Sequence, residues 1–290
     1  MIVVFGGTGS LGANLVGRLT ARGEIVRIAS RDPGKARALL GPSVDALAAD
    51  VRDPSAVARA VTGARAVVLA MHGFAGTGGD PRTVDAEGCE HVVAAARAAG
   101  VEHLVMVSIV GATEGHPVEL FRMKHRGEQA LRTSGMPFTI VRATAFIETW
   151  LHLLAAPLAA KGKTVVFGPG TNPINFVSAH DVASVVAEAL SDPALRGETI
   201  EVAGPDNVSF DQLLDTFTAI TGATGKRAHI PLPVMRLASH VMKLVKPSIA
   251  RQIRAAVVMN TTDMTFDPAS TRFPALTRTA IADVVRRDYQ

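Results

Sequence analysis

Directly after the apolar run Ile2-Val3-Val4-Phe5 stands Gly6-Gly7-Thr8-Gly9-Ser10-Leu11-Gly12, with glycines at 6, 9 and 12. That spacing suits the binding of a pyrophosphate. Gly6 permits a tight turn, Gly9 lets backbone N–H groups approach an anion with no side chain between, and Gly12 lets the next helix pack closely on the strand. Thr8, Ser10 and Leu11 complete the cradle, and Leu11, Leu15 and Leu19 carry helical spacing onward. The second strand, read over Glu24 to Ala29, ends in Ser30-Arg31, where an NAD site usually places an acidic side chain on the ribose 2′-hydroxyl. A guanidinium there suits a 2′-phosphate, with Ser30 adding a hydroxyl and Lys35 one turn on, so NADP(H) is the expected cofactor. The competing reading makes Arg31 a solvated turn residue and gives the ribose to Asp32. Asp50 and Val51 follow a third apolar run, Val44 to Ala49, and are expected at the adenine; Asp53 before Pro54 reads as a helix cap.

These groups need a sheet to hold them. Strand and helix signals alternate: a helix from Pro54, a strand at Ala66 to Met71, a helix near Thr83 to Ala99, a strand at Glu102 to Ser108, a helix at Val118 to Thr133 and a strand at Phe138 to Arg142. Ala70, Met71, His72 and Gly73 then fall at the carboxyl end of the fourth strand, beside the cofactor, with Gly73 leaving backbone room. Beyond, Trp150 to Ala160 reads as a helix and Lys163 to Phe167 as a strand. Asn175 to Val177, a helix capped by Asp181 and a strand at Thr199 to Val202 read as a return to the main sheet. Pro205 to Gln290 reads as mostly helical, broken at Pro231, Pro233 and Pro247. The expected fold is α/β, a doubly wound parallel sheet with a smaller, mostly helical C-terminal substrate-binding lobe. Its nucleotide domain spans 1–150 with a return segment 174–203, and the lobe spans 151–173 and 204–290.

Composition sets bounds on the rest. A chain of 290 residues with 48% hydrophobic content fills one enzyme-sized core. The one cysteine, Cys89, excludes an internal disulfide; with a strand expected from residue 2, no export leader is expected and the protein is expected to be cytoplasmic. No apolar stretch reaches the length of a membrane span. From Lys226 to Arg278 nine Lys or Arg stand against Asp263 and Asp267, a local +7 within a net +4. Such a stretch could attract an acidic substrate, a membrane surface or nucleic acid. With its charges spread out and few aromatic residues among them, a solvated face is favoured and no nucleic-acid partner is expected. No Cys/His/carboxylate cluster has metal-ligand spacing, so no metal is expected.

The cradle, Arg31 and Asp50, with Leu104 to Gly111, Lys124 to Glu128 running into Ser134 to Arg142, and Phe176 to Ala183, resemble the NmrA-like group of atypical short-chain dehydrogenases/reductases, which includes isoflavone-reductase-like enzymes. The resemblance covers nearly the whole chain and implies a Rossmann sheet. Short-chain reductases pair a tyrosine with a lysine four residues on; here Lys124 stands alone, with Leu120 in the tyrosine position and the one tyrosine at Tyr289. The resemblance implies that Lys124 acts at the nicotinamide ribose or as acid and base. Its competing reading is an exposed helical ion pair with Glu128. Ser108, ending its strand, either bonds a substrate carbonyl or satisfies a local turn. His72 is better placed as a proton donor than His116 or His125; Glu148 and His152 follow the sixth strand on a helix that could line the pocket, and each of these alone reads more simply as structural. Phe146 and Trp150 form either an apolar wall for the nicotinamide or a flat substrate, or core.

The reading that follows is an NADPH-dependent oxidoreductase passing hydride to a small, flat carbonyl, quinone or conjugated alkene. Two alternatives stand beside it: an NADP(H)-sensing regulatory protein without turnover, and an isomerase or epimerase that uses bound NADP transiently. An oligomer is compatible with each.

Overall fold

A computed structural model describes residues 1–74, 79–267 and 278–290; within the basic stretch, Arg272 lies outside the described residues. The chain forms two compact units, one of Met1–Arg142 with Val182–Glu201, the other of Ala143–Asp181 with Val202–Gln290.

The first unit is built on β1 (Ile2–Phe5), β2 (Val26–Ser30), β3 (Asp45–Ala48), β4 (Ala66–Leu69), β5 (His103–Ile109), β6 (Phe138–Ala143) and β10 (Thr199–Val202). They form one sheet in the order β10-β6-β5-β4-β1-β2-β3. The pairings from β3 through β2, β1 and β4 to β5 are parallel and in register, Val4 opposite both Ile28 and Val68. β1 and β4 are buried at every position, because helices cover both faces of a parallel sheet and leave no solvated side. The strand order reverses direction between β1 and β4, and ligands in such sheets bind outside the strand ends at that point.

Helices α1 (Ser10–Ala21), α2 (Pro33–Leu40), α3 (Pro54–Val61), α4 (Gly88–Ala98), α5 (Glu119–Arg132) and α8 (Ala179–Ser191) intersperse these strands. α3 shows how local chemistry sets an element. The Asp53 carboxylate accepts from Ser55 N–H, Pro54 opens the first turn, and Ala56, Val57, Ala60 and Val61 bury one face. The expected helix from Thr83 begins instead with a wide π turn, Arg82–Glu87, before α4.

The second unit holds α6 (Ile147–Trp150), α7 (Ala156–Lys161), β8 (Lys163–Phe167), α9 (Phe210–Thr221), α10 (Leu232–Val245), α11 (Pro247–Met259) and α12 (Ile281–Tyr289). β7 (Ala145–Phe146), β9 (Ile174–Val177) and β11 (Asn207–Val208) make a three-stranded sheet. Thus Asn175 to Val177 does not return to the main sheet; its edges pair with β7 and β11, and the chain re-enters the first unit only at Val182. Lys226–Ile230, expected in a helical region, is a strand, β12, parallel to β8. Pro233 and Pro247 begin helices rather than break them, since the first turn has no use for the missing N–H. Asp181 lies inside α8 rather than capping it: its carboxylate accepts from Thr279 N–H and Oγ1, both at 2.7 Å. Glu148 instead receives the N–H of Ala179 at the start of α8.

Candidate functional site

The glycine turn sits at the point of reversal, and each glycine has a separate reason. Gly6 has φ +87°, and a Cβ there would meet the Ala70 carbonyl oxygen at 2.5 Å. A Cβ on Gly12 would run into the Gly6 carbonyl, so any side chain there would push α1 off the turn. Gly9 is exposed, and a Cβ there would approach only Gly6 O, at 3.6 Å. It caps α1 without a side chain, and the first helical bond runs from Ala13 N–H to Gly9 O at 2.8 Å. The N–H groups of Ser10, Leu11 and Gly12 precede that bond, and no acidic residue stands in the first turn to oppose an anion. A pyrophosphate fits this cradle in charge and in clearance.

Beyond β2, Arg31 and Lys35 are exposed. The Asp32 carboxylate caps α2, accepting from Lys35 N–H at 3.0 Å, while Ser30 Oγ donates to Asp32 O and accepts from Asp32 N–H. Asp32 is thereby committed to the helix, which weakens its claim on a ribose. Asp50 accepts from Arg52 through N–H (3.0 Å), Nε (2.9 Å) and Nη2 (2.5 Å). The hydrogen bond from the Arg52 side chain is the main reason its carboxyl lies below the ordinary aspartate range, and the Arg31 charge adds to it. The Val51 carbonyl accepts from His91 Nδ1 at 2.8 Å. Arg52 and His91 were not singled out from sequence; only Arg52, two residues after Asp50 in a basic-acidic run, left a signal.

At the carboxyl ends of β4 and β5 the structure gathers Met71, His72, Gly73, Asp85, Val107, Ser108 and Lys124. Lys124 is 7% exposed. Its Nζ donates to Met71 O at 2.9 Å and Val107 O at 3.0 Å and forms an ion pair with Asp85 Oδ1 at 3.0 Å. The exposed ion pair with Glu128 is therefore ruled out. Asp85 is buried, and its Oδ2 accepts from Gly73 N–H at 2.7 Å. Gly73 does not leave room for a cofactor: a Cβ there would strike the Asp80 carbonyl and meet Val84 Cβ at 2.9 Å, so its smallness serves this packing. Asp85 is a further residue the sequence did not single out, and the π turn, which no periodicity announces, is what aims it.

Ser108 Oγ donates to Glu128 Oε1 at 2.5 Å, and Glu128, fully buried, also accepts from Arg142 Nε (2.9 Å) and Nη2 (2.7 Å). With its hydroxyl proton so placed, Ser108 is not a donor to a substrate carbonyl in this structure. His72 Nδ1 accepts Phe74 N–H at 3.3 Å, so the neutral ring carries its proton on Nε2. Desolvation pulls the His72 pKa below the ordinary histidine value; Asp85 opposes the shift and Lys124 reinforces it. Part of the ring's surface stays open to solvent.

Several of the remaining candidates are held by structural partners. His116 stacks on Phe121 at 3.9 Å, and Glu148 accepts from Ser178 Oγ and Arg287 as well as Ala179. Trp150, half-buried, lies 4.5 Å from the Phe210 ring and packs against the core of the second unit; Phe146 on β7 is also half-buried. Tyr289 meets Phe217 edge-on in the same core, so the one phenol of the chain is a packing group. Among the described residues no group of His, Cys, Asp and Glu could hold a metal ion.

The family described as NAD(P)H-binding matches residues 6–193. The (4-alkanoyl-5-oxo-2,5-dihydrofuran-3-yl)methyl phosphate reductase of Streptomyces griseus is 33% identical over 210 residues, 72% of this chain and 70% of the relative. Photosystem II assembly factor Ycf39 of Guillardia theta is 24% identical over 273 residues, 93% of this chain and 87% of its own. The crystal structure of the NADPH-dependent quinone oxidoreductase QOR2 from Escherichia coli, complexed with NADPH, aligns over 100% of both chains with a TM-score of 0.77 at 23% identity, and so shares the fold.

Proposed function

The chain belongs to the NAD(P)H-binding family, and from that premise we propose that it is an NADPH-dependent oxidoreductase whose acceptor is a small, flat quinone, carbonyl or conjugated alkene. The observation that carries this reading is the cradle between β1 and β4, where Gly9 is open, Gly12 admits no side chain, and Arg31 and Lys35 follow β2. The nicotinamide of bound NADPH supplies the hydride.

The chain's own residues bind, orient and hold charge. The N–H groups of Ser10, Leu11 and Gly12 take the pyrophosphate, Arg31 and Lys35 the 2′-phosphate, and Asp50 and Val51 the adenine. Ala70 to His72 border the nicotinamide ribose at the end of β4. Lys124 fixes the carbonyls of Met71 and Val107 and thereby the edges of that pocket. Its charge, shared with Asp85, favours anion formation nearby. His72 offers its Nε2 proton to an acceptor oxygen. Quinones ask least of such a site, because their reduced anions are stabilised without a strong acid. The reductase relative from Streptomyces griseus and the quinone oxidoreductase fold agree with this acceptor class.

A second reading, NADP(H) binding without turnover, is favoured by Leu120 in place of a tyrosine and by the engagement of Lys124 with two backbone carbonyls and the Asp85 carboxylate. One experiment separates them. The purified protein is titrated with NADPH and NADP⁺, then NADPH oxidation is followed at about 340 nm against quinones, ketones and enones. Saturable oxidation with a quinone or enone is expected. Equal, tight binding of both forms with no oxidation would assign a regulatory role, and substrate rearrangement at constant NADPH would assign an isomerase.

A further inference from the structure

We infer that the exposed face of α10 is a docking surface for an anionic lipid bilayer, on which the helix lies without crossing it. This rests on the second unit alone and is independent of the proposed reaction. Val234, Leu237, Val241, Leu244, Val245 and Ile249 are all exposed, Leu244 at 88%. At about 100° per residue, the first five fall within an arc of roughly 100° on one side of the helix. Arg236, His240 and Lys243 occupy the neighbouring arc, and all three are exposed. Met235, buried, and Met242, half-buried, take the remaining arc, and α10 packs along α11. The helix is therefore apolar on a side that its own unit does not cover.

Charge decides the occupant. From residue 226 through 262 the chain carries seven Lys or Arg and no Asp or Glu. Lys246, between α10 and α11, and Arg254 on α11 add exposed charge to Arg236 and Lys243. A second copy docked face to face would bring these cations together, and like charges in a closing interface oppose association. An anionic bilayer satisfies both features at once: the aliphatic stripe enters the headgroup boundary while the basic rim meets anionic lipid. No helix among the described residues is long and apolar enough to cross a membrane, so the contact is peripheral.

The test uses the full chain and vesicles of phosphatidylcholine with about 30% phosphatidylglycerol, compared with phosphatidylcholine alone, in co-sedimentation. Binding to the anionic vesicles at least tenfold above the neutral ones is expected, falling with salt. Lys243→Gln should lower the partition coefficient about fivefold, as one basic residue near the surface does. Leu237→Ser with Leu244→Ser should lower it more than tenfold while leaving the melting temperature and NADPH affinity unchanged, since both residues are exposed. Equal or absent binding to the two vesicles overturns the inference. So does a concentration-dependent dimer that Leu244→Ser dissolves, which would assign the face to a second copy. Binding to poly-glutamate as tight as to vesicles and indifferent to the leucine changes would assign it to an acidic macromolecule, and equally overturns it.

Discussion

Gly12 and Gly17 lie on the same helix and should respond to alanine in opposite ways. At Gly12 the new methyl would collide with the Gly6 carbonyl, whereas at Gly17, which is exposed and mid-helix, a Cβ meets nothing within 4 Å. Gly12→Ala should weaken NADPH binding at least tenfold and lower the melting temperature. Gly17→Ala should stabilise the protein by about 0.5–1 kcal/mol and leave binding unchanged, as calorimetry and urea titration would reveal. Arg31 is a test of cofactor choice rather than of fold. Arg31→Ala should cost NADPH about 1.5–3 kcal/mol of binding, the range for a hydrogen bond to a charged group, and cost NADH far less. Equal losses for the two coenzymes would remove the 2′-phosphate from Arg31. Both residues stand out in the sequence as candidates, because a glycine interval and a basic residue after β2 are local signals. Ser108 does so only in part: its place at a strand end was visible, but its commitment to a buried Glu128 that also pairs with the half-buried Arg142 of β6 was not.

The elements around Lys124 act as one tie. Its ammonium joins the ends of β4 and β5 and pairs with the carboxylate that the π turn supplies, while Asp85 holds the Gly73 backbone on its other oxygen. Gly127 on α5 allows the approach: a Cβ there would meet Asp85 O at 2.8 Å. Lys124→Met leaves Asp85 buried without its cation and should cost about 3–5 kcal/mol in urea unfolding. Adding Asp85→Asn should restore much of that stability, and the double variant then separates two roles. If turnover recovers with stability, Lys124 positions the strand ends; if turnover stays more than tenfold down in a stable protein, its charge acts on the reacting oxygen. The apolar runs made β1, β4 and β5 readable, since a parallel strand buried on both faces leaves an unbroken hydrophobic string. The π turn was not readable, because its residues keep helical spacing while one extra residue per turn redirects Asp85. β9 was misplaced for a related reason: Ile174 to Val177 is apolar enough for a central strand, and composition does not say which neighbours it pairs with.

At the scale of the whole molecule, acid should weaken the fold through histidines held below their ordinary pKa. His103 opens β5 at 3% exposure, with Nε2 at 3.0 Å from Thr139 Oγ1, which in turn donates to Leu195 O at 2.8 Å. Desolvation, helped by the Arg196 charge, pushes its pKa down to about 4, and His72 and His116 are lowered as well. An unfolded histidine titrates near 6.5, so between about pH 6.5 and 4 the unfolded chain binds more protons than the folded one. The stability these residues contribute is complete above that window and is lost as pH falls through it. Asp50, whose pKa is lowered, acts at more acid pH, where protonation would release its grip on Arg52. Urea midpoints measured from about pH 7.5 down to about pH 4.5 should therefore fall before the carboxylates titrate. In His103→Gln an amide can still donate to Thr139 but takes up no proton, so the fall across this window should become shallower. A slope unchanged by that substitution would place the acid sensitivity elsewhere. This dependence follows from the burial of one strand end beneath neighbouring elements, a property that belongs to the assembled sheet and to no segment of sequence alone.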